Sequence, residues 1–130
     1  MPDPTLQQGT IAWIEVPDPR GKLKARPVVV VTPTDQIFMN SPLVGVAVTT
    51  SVGEKPPAPN VLLPWDPRGR PATRLRRRSA AVCNWLVTFR PSDVQSVEGY
   101  VPQKTLLRIL QTVKEWAEHG DQATPGDRND

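Results

Sequence analysis

The chain holds one cysteine and one histidine in 130 residues. Cys83 has no second cysteine to pair with, so an internal disulfide is excluded and a reducing, cytoplasmic setting is expected. One Cys and one His cannot complete a tetrahedral zinc site, so no metal centre is expected. No apolar run reaches the length of a membrane span. The start, Met1-Pro2-Asp3-Pro4, has neither the basic nor the apolar stretch of a secretory leader. The acids are scattered, without the paired-carboxylate pattern of metal or glycosidase chemistry. His119 falls in the last turn of a helix, where a cation complements the helix dipole, and is assigned no chemistry.

Proline, by contrast, is plentiful, with 16 in the chain. Most prolines fall between apolar runs. Proline cannot donate to a sheet ladder, so these positions mark strand ends and turns. Short apolar runs with rigid connections read as a small barrel or sandwich. The net charge of +3 is mild, but it is unevenly spread. Arg68, Arg70, Arg74, Arg76, Arg77 and Arg78 crowd one segment, and Arg20, Lys22, Lys24 and Arg26 form a second basic group. Local positive potential of this kind attracts polyanions, nucleic acid above all. A solvated loop that keeps the chain soluble is the plainer reading of the same charges.

Along the chain, residues 1–8 read as a loose arm and residues 9–119 as one domain. Strands are predicted over 9–16, 27–32, 43–50, 60–63 and 97–101, with one or two more in 79–90. The run Pro27-Val28-Val29-Val30-Val31 demands a buried central strand. Residues 17–25 read as a basic loop, 34–42 as a polar loop with a helical turn, 51–59 as an exposed Gly/Pro loop, and 65–78 as an arginine loop. A helix is predicted over 102–118. Leu106, Ile109, Leu110, Val113 and Trp116 recur there on one face, which should cover the β core. The tail 120–130 has no core-forming residues and should be disordered. The fold class is mainly β with a C-terminal helix.

Arg26 stands at the mouth of the central strand, and Thr49-Thr50-Ser51 end the next apolar run. A fixed cation and hydroxyls at neighbouring strand ends suit a phosphate oxygen or an oxyanion. Arg26 could equally cap its strand or pair with Glu15 or Asp18, and the threonines could be ordinary strand formers. Trp65 and Trp85 flank the arginine loop in sequence and could stack on bases of single-stranded RNA. Core packing or a dimer contact is the other reading of both; Trp13 reads as core and Trp116 as packing on the helix face. Cys83 reads as a small buried hydrophobe.

Several motifs occur in a characteristic order. They are Gly9-x-Ile11-x-Trp13, then Gly21, then Arg26-Pro27-Val28-Val29-Val30-Val31. Val46-Ala47-Val48-Thr49-Thr50-Ser51 and Ser79-x-x-Val82-Cys83-Asn84-Trp85-Leu86-x-Thr88 follow, and Gly99-Tyr100-Val101 leads into the helix. The set resembles the MazF/PemK family of toxin endoribonucleases of type II toxin–antitoxin systems. The resemblance implies a small SH3-like open β-barrel, usually a homodimer. It implies metal-independent, sequence-specific cleavage of single-stranded RNA, with no cofactor, and a partner antitoxin whose extended C-terminal segment fills the RNA groove. It also implies attack of a ribose 2′-hydroxyl on the adjacent phosphate, giving a 2′,3′-cyclic phosphate and a 5′-hydroxyl end. Carried over by position, Arg26 is the catalytic arginine and Thr49 the catalytic threonine. Thr50 is the register alternative and Ser51 a neighbouring contact. Lys22-Leu23-Lys24 stand where many members have a Ser-Glu pair, and Asn84-Trp85 where they have Asp-Gln. Two other functions stay open on the sequence: a catalytically silent relative that binds RNA or peptide, and a gyrase-directed toxin of the CcdB type.

Overall fold

The computed structural model describes residues 6–17, 20–52 and 59–120, the His119 side chain excepted. The expected arm at 1–5, Asp18, most of the 51–59 loop and the expected tail beyond Gly120 lie outside these residues. Six strands follow in order: β1 (Thr10–Pro17), β2 (Leu23–Val30), β3 (Leu43–Thr49), β4 (Asn60–Leu63), β5 (Ser79–Phe89) and β6 (Ser96–Tyr100). The helix α1 spans Gln103–Gly120. The strands make one antiparallel sheet in the order β4-β5-β3-β2-β1-β6, curled into a half-barrel. This is the mainly β class expected from the sequence.

The curl originates in β5. Two steps along β3, from Val46 to Val48, correspond to five along β5, from Leu86 to Ala81. The surplus residues bend β5, so its second half pairs with the start of β3 while its first half also carries β4. Side chains from the two faces of the curled sheet form two cores. One gathers Ile11, Val29, Val46, Val48, Val61, Ala81 and Cys83 beneath Leu106 and Ile109 of α1, with Leu110 and Val113 packed alongside. The other gathers Leu6, Ala12, Ile14, Val16, Val28, Val30, Leu43 and Phe89. The helix therefore covers one core face, as its apolar periodicity requires, and Trp116 is half-buried.

Three local expectations need correction. Leu6 is not loose: it is 3% exposed, and Gln8 is tied down by its backbone N–H to Thr34 Oγ1 at 3.0 Å and its side chain to the Val31 carbonyl at 2.9 Å. Secondly, β2 begins at Leu23, inside the stretch read as a basic loop. Leu23, Lys24 and Ala25 pair with Pro17, Val16 and Glu15. They are exposed on the β2 side of the hairpin, so no buried apolar run marks them as strand. Thirdly, Trp13 is only half-buried and belongs to neither core.

Pairing of β2 with β3 covers only Val28–Val30, although β2 continues back to Leu23. From Pro27 towards its start, β2 pairs with β1 alone. A proline is tolerated there because one edge of the strand is free of the ladder. The sheet thus opens a seam between β2 and β3 where their ends diverge.

The arginine loop is a built structure. Thr73 is fully buried, donates its hydroxyl to the Pro64 carbonyl at 2.7 Å and accepts from the Leu75 N–H at 3.2 Å. Asp66 accepts from the Arg68 N–H and pairs with the Arg70 Nε at 2.7 Å. The loop is pinned to the sheet by the Tyr100 N–H, which donates to the Ala72 carbonyl at 3.0 Å. It crosses β6 at Gly99, where there is no side chain in the way.

Candidate active site

Alternation along the strands decides which residues meet at the seam. Val28 and Val30 face the second core, and two residues earlier Arg26 faces the same way. Val28 stands opposite Ala47, so Ala47 and Thr49 share that face. The same counting sends Thr50 to the other side. Arg26 and Thr49 therefore lie on one face at the diverging ends of β2 and β3, both half-buried.

Arg26 reaches across the seam. Its Nη1 donates to the Val48 carbonyl at 3.3 Å, next to Thr49. Its Cζ lies 5.0 Å from the centroid of the Trp85 ring. A guanidinium over an indole face is worth about 0.5–2 kcal/mol, depending on desolvation. Among the described residues no carboxylate pairs with Arg26, and its buried Nε–H has no hydrogen-bond partner. Leaving such a donor unsatisfied costs about 1–3 kcal/mol, more when the group is charged. An anion arriving at the seam would recover that cost.

Thr49 complements the cation. Its Oγ1 accepts the Ser51 N–H at 3.1 Å. With one lone pair occupied, the hydroxyl proton is available to a ligand oxygen. Ser51 itself is exposed. The fourth sequence candidate, Thr50, lines a cleft of about 460 Å³ on the opposite face. Trp13, Pro27 and Leu75 give this cleft its apolar wall, and Arg74, Arg76, Arg77, Ser79, Ser96 and Glu98 its polar rim. Arg74, Arg76 and Arg77 are thus brought to the reverse side of the same strand ends.

The other basic candidates scatter. Arg20, Lys22 and Lys24 are exposed around the β1–β2 hairpin, and Arg68 is exposed in the arginine loop. Arg70 is engaged with Asp66, and Arg78 is half-buried. Trp65 is 40% exposed, whereas Trp85 is turned to Arg26. Sequence reading missed Trp13, Ser96 and Glu98 as lining of the cleft. The signal lay in register: Trp13 pairs with Pro27 on one side and Ser96 on the other.

Cys83 offers no nucleophile. It is fully buried, and burial pushes its thiol up to about 11, against a smaller opposing pull from Arg108. It is therefore a neutral thiol at physiological pH. Among the described residues no group of three or more His, Cys, Asp or Glu side chains gathers in one place.

A half-barrel that holds an uncompensated guanidinium and a hydroxyl at one seam, backed by an arginine-rimmed cleft, defines a small polyanion-directed protein. Comparison with known families makes the assignment narrower. The chain belongs to the PemK-like, MazF-like toxins of type II toxin–antitoxin systems, whose family model matches residues 7–117. Solved structures share the fold at low identity. An endoribonuclease from a mycobacterial species aligns with a TM-score of 0.66 at 15% identity, covering 88% of this chain and 92% of that one. The Mycobacterium tuberculosis toxin MazF-mt6 gives 0.62 at 17%, covering 84% and 96%. A MazE–MazF structure from Deinococcus radiodurans gives 0.68 at 13%, covering 89% and 98%. No curated protein matches the sequence at a significant level.

Proposed function

We propose that this toxin is a sequence-specific endoribonuclease acting on single-stranded RNA in the cytoplasm, restrained by a cognate antitoxin. The observation that carries the reading is Arg26: a half-buried guanidinium with a free Nε–H and no acid beside it among the described residues. A scissile phosphate bound there would meet a permanent charge and a fork of donors. The ribose 2′-hydroxyl loses its proton to water and attacks the adjacent phosphorus, the bond to the 5′ oxygen breaks, and that oxygen takes up a proton from water. The products are a 2′,3′-cyclic phosphate and a 5′-hydroxyl. Charge on the non-bridging oxygens grows towards the pentavalent transition state, and in this reading Arg26 and Thr49 bind it more tightly as it grows.

Family membership and the endoribonuclease and MazE–MazF neighbours favour this reading over a silent binding module or a gyrase-directed toxin. They also support the antitoxin as partner, and a homodimer as the working form. No metal or cofactor is required by this chemistry. The test is incubation of the purified protein with a long transcript in EDTA. New termini at a recurring short sequence, bearing 2′,3′-cyclic phosphates, are expected. An intact transcript under these conditions, with or without added magnesium, overturns the proposal.

The arginine-rimmed cleft is proposed to carry flanking phosphates. Replacing Arg74, Arg76 and Arg77 together by glutamine should weaken binding to an all-deoxy oligonucleotide and flatten its salt dependence. For three lost phosphate contacts the slope of log K against log salt should shrink by about 2. Fluorescence anisotropy at several salt concentrations measures it, and an unchanged slope takes the loop off the RNA path.

A further inference from the structure

Trp85 is the residue at the seam whose role neither the fold nor the family assignment supplies. We infer that Trp85 is a positioning residue: its indole face holds the Arg26 guanidinium in the orientation that meets the scissile phosphate. The inference rests on the nuclease reading, and it identifies what keeps the catalytic cation in place.

Three observations carry it. The guanidinium carbon stands 5.0 Å from the Trp85 centroid, within the range of a cation–π contact. The other support is a single long hydrogen bond, 3.3 Å, from Nη1 to the Val48 carbonyl. No carboxylate among the described residues supplies the salt bridge that usually fixes a buried arginine. An arginine has four rotatable side-chain bonds, and one weak hydrogen bond does not select a rotamer among them. The ring does, and it does so without consuming in-plane donors. A carboxylate in its place would fix the side chain equally well but would neutralise the charge and occupy the fork.

Backbone geometry explains how Trp85 reaches Arg26. Ala81 and Cys83 face the helix-covered core, whereas Trp85, Val87 and Phe89 face the other. The face changes within the surplus segment of β5, between the residues paired with Val48 and with Val46. The bend that curls the sheet also turns Trp85 towards the β2–β3 seam. Its half-burial fits a residue that packs on the second core and shows one face to the cation.

The test uses Trp85→Leu, which keeps apolar bulk without a π face, and Trp85→Phe, which keeps a π face. Substrates are a single-stranded RNA oligonucleotide containing a mapped cleavage site and its counterpart with a 2′-deoxyribose at that site. Trp85→Leu should lower kcat by roughly 10–100-fold, the scale of a misaligned catalytic group. Its affinity for the deoxy oligonucleotide should stay within about twofold, and Trp85→Phe should keep kcat within about fivefold of wild type, since Phe retains most of the π attraction. Deoxy affinity that falls as far as kcat/KM would make Trp85 a base-stacking contact and overturn the inference. Unchanged kcat in Trp85→Leu would overturn it too. A second readout is independent of catalysis. The Arg26 Nε–H resonance, assigned by its loss in Arg26→Lys, should be displaced by the ring current in wild type and Trp85→Phe, and return to the random-coil position in Trp85→Leu. A resonance that does not move refutes the holding role even if no RNA is cut. Absence of RNA cleavage by wild type with the expected resonance shifts would sink the nuclease reading alone.

Discussion

Arg26→Ala should lower the single-turnover rate of RNA cleavage by about 10²–10³-fold, the usual loss when one preorganised charge-stabilising donor is removed. The fold should survive. Arg26 lies in the part of β2 that pairs with β1 alone, and its side chain makes one long hydrogen bond, to the Val48 carbonyl. Truncation also removes the buried Nε–H that lacks a partner, so part of the lost packing energy is offset. Arg26→Lys should recover less than a tenth of the activity, as an ammonium keeps the charge but loses the planar fork and the flat stacking on Trp85. In cells lacking the antitoxin, wild-type expression should arrest growth and Arg26→Ala should relieve the arrest. Equal cleavage rates for wild type and Arg26→Ala, with matching thermal melts, would remove this residue from the mechanism.

Gly99→Ala should be the most damaging single methyl in the sheet. A Cβ at Gly99 would stand 2.7 Å from the backbone carbonyl carbon of Thr73 and closer still to the Ala72 oxygen. Both are main-chain atoms and cannot rotate aside. Accommodating the methyl means lifting the arginine loop off β6. That breaks the Tyr100 N–H bond to Ala72 and disturbs the buried Thr73, which holds Pro64 and Leu75. The cost should reach about 3 kcal/mol, the upper part of the overpacking range. For a domain of this size that lowers Tm by roughly 10 °C. Gly21→Ala is the informative control. Nothing lies within 4 Å of its Cβ position, so only the strain of its φ of +83° remains, on the order of 1 kcal/mol. Calorimetry of the two variants separates them. A Gly99→Ala protein as stable as Gly21→Ala would mean that the loop is not anchored there.

Much of the fold is legible in the sequence because burial writes itself as apolar runs. The valines of β2, the alternation of β3 and the helical periodicity of 102–118 each specify one element. What escapes is whatever depends on pairing instead of on hydrophobicity. Leu23–Ala25 are exposed strand residues, and only their β1 partners define them. The bend in β5 is a mismatch between two strands and is absent from either strand read alone. Leu6 is one apolar residue in a polar arm, too little to establish a pattern. The site divides in the same way. Arg26 and the Thr49-Thr50 pair stand out by position and by family resemblance, but the choice of facing threonine follows from register. Trp85 is conspicuous as an aromatic; its partner becomes visible only when the β5 bend brings it to Arg26.

The short reach of the β2–β3 ladder has a mechanical corollary. Beyond Val28 the two strands share no rung of the sheet, so their tips can spread without breaking a backbone bond. The width of the seam at that end is therefore set by side chains, with Arg26 bridging to the Val48 carbonyl and lying over Trp85. If the proposed function holds, exchanging residues at the lips of this seam should change the RNA sequence that is cut while the ladder behind it, Val28–Val30 with Gly45–Ala47, stays paired.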